Sequence, residues 1–202
     1  MPKYKHVLFI DPGTSWGWAL CEASKEGLYV TVSSGAMTLD GKTYGERALA
    51  FWDALADIAP AHLRADMLFA WEEAPFDFRG GSAARVAGGW YYAMTLFCEM
   101  HKIAYQPFNQ SEIKAYVARQ GFYTRRKPQP KKRAGESAAE LAKRVRAWEE
   151  TPFDKKPRPR PEWLLSIVDV SAKNRALREN EVDARWGLEY VLDAMKREER
   201  VP

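Results

Sequence analysis

The chain has 202 residues, 29% charged and 46% hydrophobic, with 13 Gly, 12 Pro and 2 Cys, which is the size and make-up of one soluble domain or of one domain with a large insertion. Cys21 and Cys98 lie in apolar surroundings with no CxxC or Cys/His spacing, which argues against a disulfide framework or a zinc site and for a reducing cytoplasm. No run reaches the roughly 18 apolar residues of a membrane helix, and Met1-Pro2-Lys3 leads into a strand-like segment rather than a signal peptide, so a cytoplasmic protein with no membrane partner is expected.

In chain order, His6-Val7-Leu8-Phe9-Ile10-Asp11 is a nearly continuous apolar run, the pattern of a central strand buried on both faces. Pro12-Gly13-Thr14-Ser15 marks a turn, and Gly17 to Cys21 and Leu28 to Val32 read as two further strands of an antiparallel meander. Thr43 and Glu46 have capping-box spacing ahead of Ala48, Phe51, Trp52, Leu55 and Ile58, which predicts a crossover helix ending before Pro60. Met67 to Trp71 is the next apolar strand, ending in Glu72-Glu73. A largely buried helix is expected from Ser82 to about Lys102, then a short strand from Ile103 to Phe108 and a helix capped by Asn109 or Ser111. The order β-β-β-α-β-α-β-α predicts a mixed α/β sheet.

The formal net charge of +4 is unevenly spread. Residues 124–162 hold 13 Lys/Arg and 6 Asp/Glu, a net of +7, against 18 and 21 elsewhere, a net of −3. This segment contains two proline-rich basic stretches, 124–135 and 152–161, around a charged amphipathic helix expected from Ser137 to Glu150. It reads as a basic insertion, a mobile arm or a helical excursion, within a single domain spanning 1–202. A mildly acidic body with a strongly basic segment is a footprint of polyanion binding, a solvated charged face being the plainer explanation. Beyond it, Trp163 to Val170 is apolar, and Val182 to Met195 predicts a final amphipathic helix.

Three acidic residues stand where a sheet protein holds charge with least comfort. Asp11 and Glu72 end buried strands, and Asp183 lies in the expected first turn of the last helix, with Trp186, Gly187 and Tyr190 continuing its face. Each has an ordinary explanation: a turn-forming Asx, a solvated strand end, and a first-turn acid with Asn180 as N-cap. Their convergence would instead need a divalent cation to offset mutual repulsion. Oxygen ligands without His or Cys favour Mg²⁺, or Mn²⁺, over zinc. Two such ions would suffice to activate water and stabilise the leaving oxygen in phosphodiester hydrolysis.

The residues from Phe9 to Ala19 (Phe-Ile-Asp-Pro-Gly-Thr-Ser-Trp-Gly-Trp-Ala) resemble the first strand, turn and second strand of RuvC-type Holliday junction resolvases, of the RNase H-like superfamily. Phe69 to Phe76 (Phe-Ala-Trp-Glu-Glu-Ala-Pro-Phe) is similar to that family's second acidic strand, and Glu181-Val182-Asp183-Ala184 to the start of its C-terminal catalytic helix. The resemblance implies a five-stranded mixed sheet flanked by helices, a metal-dependent endonuclease site, and a homodimer that nicks branched, four-way junction DNA in recombination and repair. By position, Asp11, Glu72 and Asp183 would be catalytic metal ligands. The family's fourth ligand, three residues before the last aspartate, falls on Asn180; Asn180 has the better helical geometry for that role and Glu181 the better charge. Lys114 falls where the family places a basic residue that could meet the scissile phosphate, the alternative being an exposed helix lysine. Phe76 falls near an aromatic that wedges into junctions in some resolvases, the alternative being ordinary packing.

Arg125, Arg126, Lys127, Lys131, Lys132 and Arg133 would neutralise phosphates without reading sequence. The departures from the family pattern and the basic insertion suggest a phage or prophage type. Trp16 and Trp18 are left without a role. Three other readings stay open: an RNase H-like nuclease acting on RNA or another DNA structure; an ATP-binding protein, since Asp11-Pro12-Gly13-Thr14 also resembles the phosphate loop of sugar kinases and actin-like ATPases; and a nucleic-acid-binding module without catalysis.

Overall fold

Strand β1 (His6–Asp11) is the centre of a five-stranded sheet. It pairs antiparallel with β2 (Ser15–Ala23), which pairs antiparallel with β3 (Tyr29–Thr38) at one edge. On its other side β1 pairs parallel with β4 (Met67–Glu73), and β4 with β5 (Ala104–Asn109), giving the order β3-β2-β1-β4-β5. The computed structural model describes residues 3–13, 15–73, 81–125, 127–163 and 175–197.

The apolar run of β1 is explained by helices on both faces. Val7 and Phe9 point to one core, shared with α3 (Gln110–Arg119) and α5 (Arg175–Lys196). Leu8 and Ile10 point to the other, shared with α1 (Tyr44–Ile58) and α2 (Gly81–His101). β4 divides in the same way, with Leu68 and Ala70 on the α5 side and Met67, Phe69 and Trp71 on the other. The remaining helix, α4 (Ala138–Glu149), lies within the basic segment and has no buried residue.

Local chemistry sets the helix starts. Thr43 and Glu46 cap α1 reciprocally, Glu46 N–H donating to Thr43 Oγ1 at 3.1 Å and Thr43 N–H to Glu46 Oε2 at 3.2 Å. Asn109 Oδ1 accepts from Ser111 N–H at 2.8 Å and starts α3. Ser137 and Glu140 form a second capping box at α4. Trp16 is a core residue packed edge-on against Phe51, and Trp18 is half-buried beside the same core.

The last helix differs from expectation. It begins at Arg175, not near Val182, so Asn180 is inside the helix rather than its N-cap and Asp183 lies beyond its first turn. The added turns, Arg-Ala-Leu-Arg-Glu-Asn-Glu, are good helix formers but mostly charged, so they lack the apolar periodicity that marks Val182 to Met195. The expected apolar segment beyond Trp163 lies outside the described residues. Among the described residues, no helix is long and apolar enough to cross a membrane.

Candidate active site

Alternation along the strands decides which carboxylates can meet. Side chains of a strand change face at every residue, so Asp11 shares the face of Val7 and Phe9, and Glu72 that of Leu68 and Ala70. Both therefore look toward α5. The adjacent Glu73 takes the opposite parity, so parity singles out Glu72 from the Glu72-Glu73 pair.

Two glycines seat α5 against this end of the sheet. A Cβ at Gly187 would lie 2.1 Å from the Phe9 ring, and one at Gly17 would lie 1.9 Å from the Asn180 carbonyl oxygen. With Gly187 over Phe9, Asp183 lies four residues back along the helix, about 6 Å. Asp11 lies two residues on along β1, about 6.6 Å. The two carboxylates are thus carried to the same level. Asn180 ties α5 to the start of β2, its Nδ2 donating to the Ser15 carbonyl at 2.8 Å.

The cluster that results is electrostatically crowded. Burial pushes the Asp11 carboxyl well above the usual range, and the fields of Glu72 and Asp183 push it further, while Lys156 and Lys114 pull it back. Glu72 is raised by burial, against a hydrogen bond from Gln110 Nε2 and the fields of Lys114 and Lys156. Asp183 is raised by burial and restrained by Lys156, whose ammonium donates to Asp183 Oδ2. For Lys156, burial pulls the ammonium down, but the attractions of Asp183, Asp11 and Glu72 together outweigh it, so it is held charged. None of the three histidines belongs to the cluster: His6 starts β1, His62 lies in the 3-10 turn after α1, and His101 ends α2.

Of the residues the sequence points to, Asp11, Glu72, Asp183 and Lys114 lie within electrostatic reach of one another. Asn180 adjoins them through its bond to Ser15. Glu181 is directed away, fully buried, accepting from Ser34 Oγ at 2.6 Å and from Arg185 at 3.1 Å. Arg125, Lys127, Lys131, Lys132 and Arg133 are exposed. Arg126 and Phe76 lie outside the described residues. Gln110 and Lys156 are the two side chains that sequence reasoning missed. Gln110 carries a weak signal in directly following the strand beside Glu72, whereas nothing local separates Lys156 from the other cations of its run.

The return of the basic segment to the body is built from specific contacts. Arg160 binds Glu189 through two nitrogens at 2.8 Å each, and its guanidinium lies 4.8 Å from the Trp186 ring centroid. Trp186 Nε1 donates to the Arg158 carbonyl at 2.8 Å, and Arg158 N–H to the Phe122 carbonyl at 2.8 Å. These ties bring Lys156 to the carboxylates.

This architecture has counterparts among solved structures. Thermus thermophilus RuvC in complex with a Holliday junction substrate aligns with a TM-score of 0.58 at 14% identity, covering 98% of this chain and 99% of that one. A second structure of Thermus thermophilus RuvC gives 0.57 at 15%, with the same coverage. The chain has the RuvC fold. The yeast mitochondrial Holliday junction resolvase Ydc2 aligns with a TM-score of 0.50 at 11% identity, over 98% of this chain and 82% of that one. No protein-family model matches the sequence, and no curated protein matches it. The five-stranded mixed sheet flanked by helices that the RuvC resemblance implies is thus the fold observed.

The donor set suits a hard divalent ion in its chemistry: three carboxylates, no His, no thiolate. Its arrangement is closed. Among the described residues no three His, Cys, Asp or Glu side chains are gathered tightly enough to hold a metal ion between them. The cation seated on the cluster is the Lys156 ammonium.

Proposed function

We propose that this chain is a divalent-metal-dependent endonuclease that cuts branched DNA, hydrolysing phosphodiesters at four-way junctions. What supports this reading is that Asp11, Glu72 and Asp183, from β1, β4 and α5, lie within electrostatic reach of one another on a fold shared with RuvC. The Thermus neighbour is bound to a Holliday junction, which supports the choice of substrate.

Asp11, Glu72 and Asp183 would hold the ion, Mg²⁺ or Mn²⁺. The chemistry such an ion supplies is a more acidic water and compensation of charge on the leaving oxygen. The protein's own residues prepare the rest. Gln110 orients the Glu72 carboxylate, and Asn180 holds the start of β2 at Ser15. Lys114, whose field reaches all three carboxylates, stands ready for the scissile phosphate. Arg125, Lys127, Lys131, Lys132 and Arg133 would take phosphates further along the duplex arms, with an affinity that falls steeply with salt.

Resolving a junction requires two cuts, and α2 offers a surface for a second copy. While Trp90, Met94, Phe97 and Cys98 are buried on the sheet, Tyr92, Leu96 and Met100 form an outward stripe at i, i+4 and i+8, with Tyr92 69% and Met100 62% exposed. A homodimer through this stripe would give each strand its own site. Leu96→Glu is expected to yield a monomer in sedimentation and to turn paired nicks into single ones.

The deciding experiment compares cleavage of a synthetic four-way junction, a flap, an RNA–DNA hybrid and a structured RNA in Mg²⁺, with Asp11→Asn as control. Symmetric paired nicks in the junction, lost in the variant, are expected. Preferred cleavage of the hybrid or the RNA would reassign the substrate, and cleavage that survives in Asp11→Asn would overturn the site.

A further inference from the structure

Lys156 is held where a cation of this cluster belongs by a part of the chain remote from it in sequence. Its ammonium donates to Asp183 Oδ2, with the lysine side chain 44% exposed and the carboxylate only 12%. It therefore reaches inward from the solvent edge. The backbone around it is fastened on both sides. Before it, Asp154 N–H donates to the Thr124 carbonyl at 3.0 Å and Thr124 N–H to Asp154 Oδ2 at 2.8 Å. After it come buried Pro157 and the two clamps on Arg158, to Phe122 and from Trp186. The prolines restrict φ and reduce the chain entropy that such ordering costs. Between this stretch and α5 lies a cleft of about 1050 Å³, whose charged lining is Lys155, Lys156, Arg158 and Arg178 with Asp154 and Glu179.

We propose that Lys156 is the resident counter-ion of the carboxylate cluster: it occupies Asp183 in the metal-free protein, yields that oxygen to a divalent ion, and then engages a phosphate of the strand lying in the adjoining cleft. The inference rests on the metal-site reading above. Three carboxylates face two ammonium groups, Lys114 and Lys156, and Lys156 directly contends with a metal for Asp183. An ammonium has donors only, so once displaced it needs another acceptor. With four cations along the cleft against two carboxylates, of which Asp154 is ion-paired to Arg158, phosphate oxygens are the acceptors that fit there. Lysine suits such an exchange better than arginine, being a compact charge on a flexible stem rather than a planar fork locked onto a carboxylate.

The test is Mn²⁺ binding by calorimetry to the full chain at pH 8, without DNA. Lys156→Met and Lys156→Gln are each expected to bind Mn²⁺ about five- to tenfold more tightly than the parent protein, because no ammonium has to leave and the local charge is more negative. Lys155→Met, which removes the same charge one residue away, is expected to stay within about twofold. In Ca²⁺, Lys156→Met is expected to bind junction DNA more weakly than the parent. Unchanged or weaker Mn²⁺ binding by both Lys156 variants, with binding to the parent intact, overturns the counter-ion role alone. Absence of Mn²⁺ binding from every protein, parent included, overturns the metal-site reading and this inference with it.

Discussion

The sheet with its carboxylate cluster and the basic segment 124–162 are held in different ways. Asp11, Glu72 and Asp183 are placed by two packed cores and by glycines at which helix and strand meet without a side chain between them. Arg125, Lys127, Lys131, Lys132 and Arg133 are exposed, and α4 buries nothing. The returning stretch, through Lys156, Arg158 and Arg160, is joined to the body by specific contacts. Electrostatic attraction of a polyanion needs charge density and little geometry, whereas phosphodiester chemistry needs atoms held to fractions of an ångström. On the proposed reading, grip would fall to the exposed segment and cutting to the packed cluster, with the returning stretch joining the two.

The strongest way to break that division is Asp11→Asn, expected to slow junction cleavage at least about a thousandfold, the rate equivalent of about 4 kcal/mol. Its junction affinity in chelator should stay within about threefold by gel shift. A parallel loss of affinity would show that the acidic body also grips.

The reciprocal experiment replaces Arg125, Lys127, Lys131, Lys132 and Arg133 with alanine. Affinity near 0.15 M salt should fall about ten- to a hundredfold, and the slope of log K against log salt should shrink by up to about 4.5, at about 0.9 for each phosphate no longer neutralised. The single-turnover rate at saturating protein should hardly move.

Packing offers a sharper contrast. Gly187→Ala forces a methyl into the Phe9 ring and should cost about 1–3 kcal/mol, lowering Tm by about 2–12 °C and disturbing cleavage through Asp183. Gly88→Ala meets nothing within 4 Å in α2 and should instead stabilise by about 0.5–1 kcal/mol.

The smallest effect concerns pH. Burial first, then Glu72 and Asp183, raise the Asp11 carboxyl, and a carboxyl raised in the folded state contributes stability at low pH that is lost as pH rises through its folded value. Asp11→Asn should therefore melt a few degrees above the parent at pH 8 in chelator. The difference should close as pH falls toward about 4, the unfolded carboxyl value. A gap that does not change with pH would mean that Asp11 is not penalised by burial and its neighbours.

Much of this arrangement was legible in local pattern. Four consecutive apolar residues, Val7 to Ile10, ahead of Asp11 imply a central strand, and Thr43 with Glu46 implies a helix start, because burial and capping are short-range consequences of backbone geometry. The early start of α5 was hidden, since its added turns are charged while the residue they bury, Glu181, is satisfied by Ser34 and Arg185, the first of them 147 positions away. The partnership of Lys156 with Asp183 was hidden for the same reason: among 13 basic residues in one segment, nothing local marks the one that returns to the site.

By itself the sequence determined the strand ends that carry Asp11 and Glu72 and the separation of an acidic body from a basic segment. Tertiary structure decided where Asp183 stands, which neighbouring acid turns away, and which lysine seats itself on the cluster. Those outcomes depend on close approach, Gly187 against Phe9, Gly17 against Asn180 and Arg160 against Trp186, between segments distant along the chain. Hydrophobic period and capping chemistry act within a few residues, and approaches of that kind arise only when the whole sheet and its helices are packed.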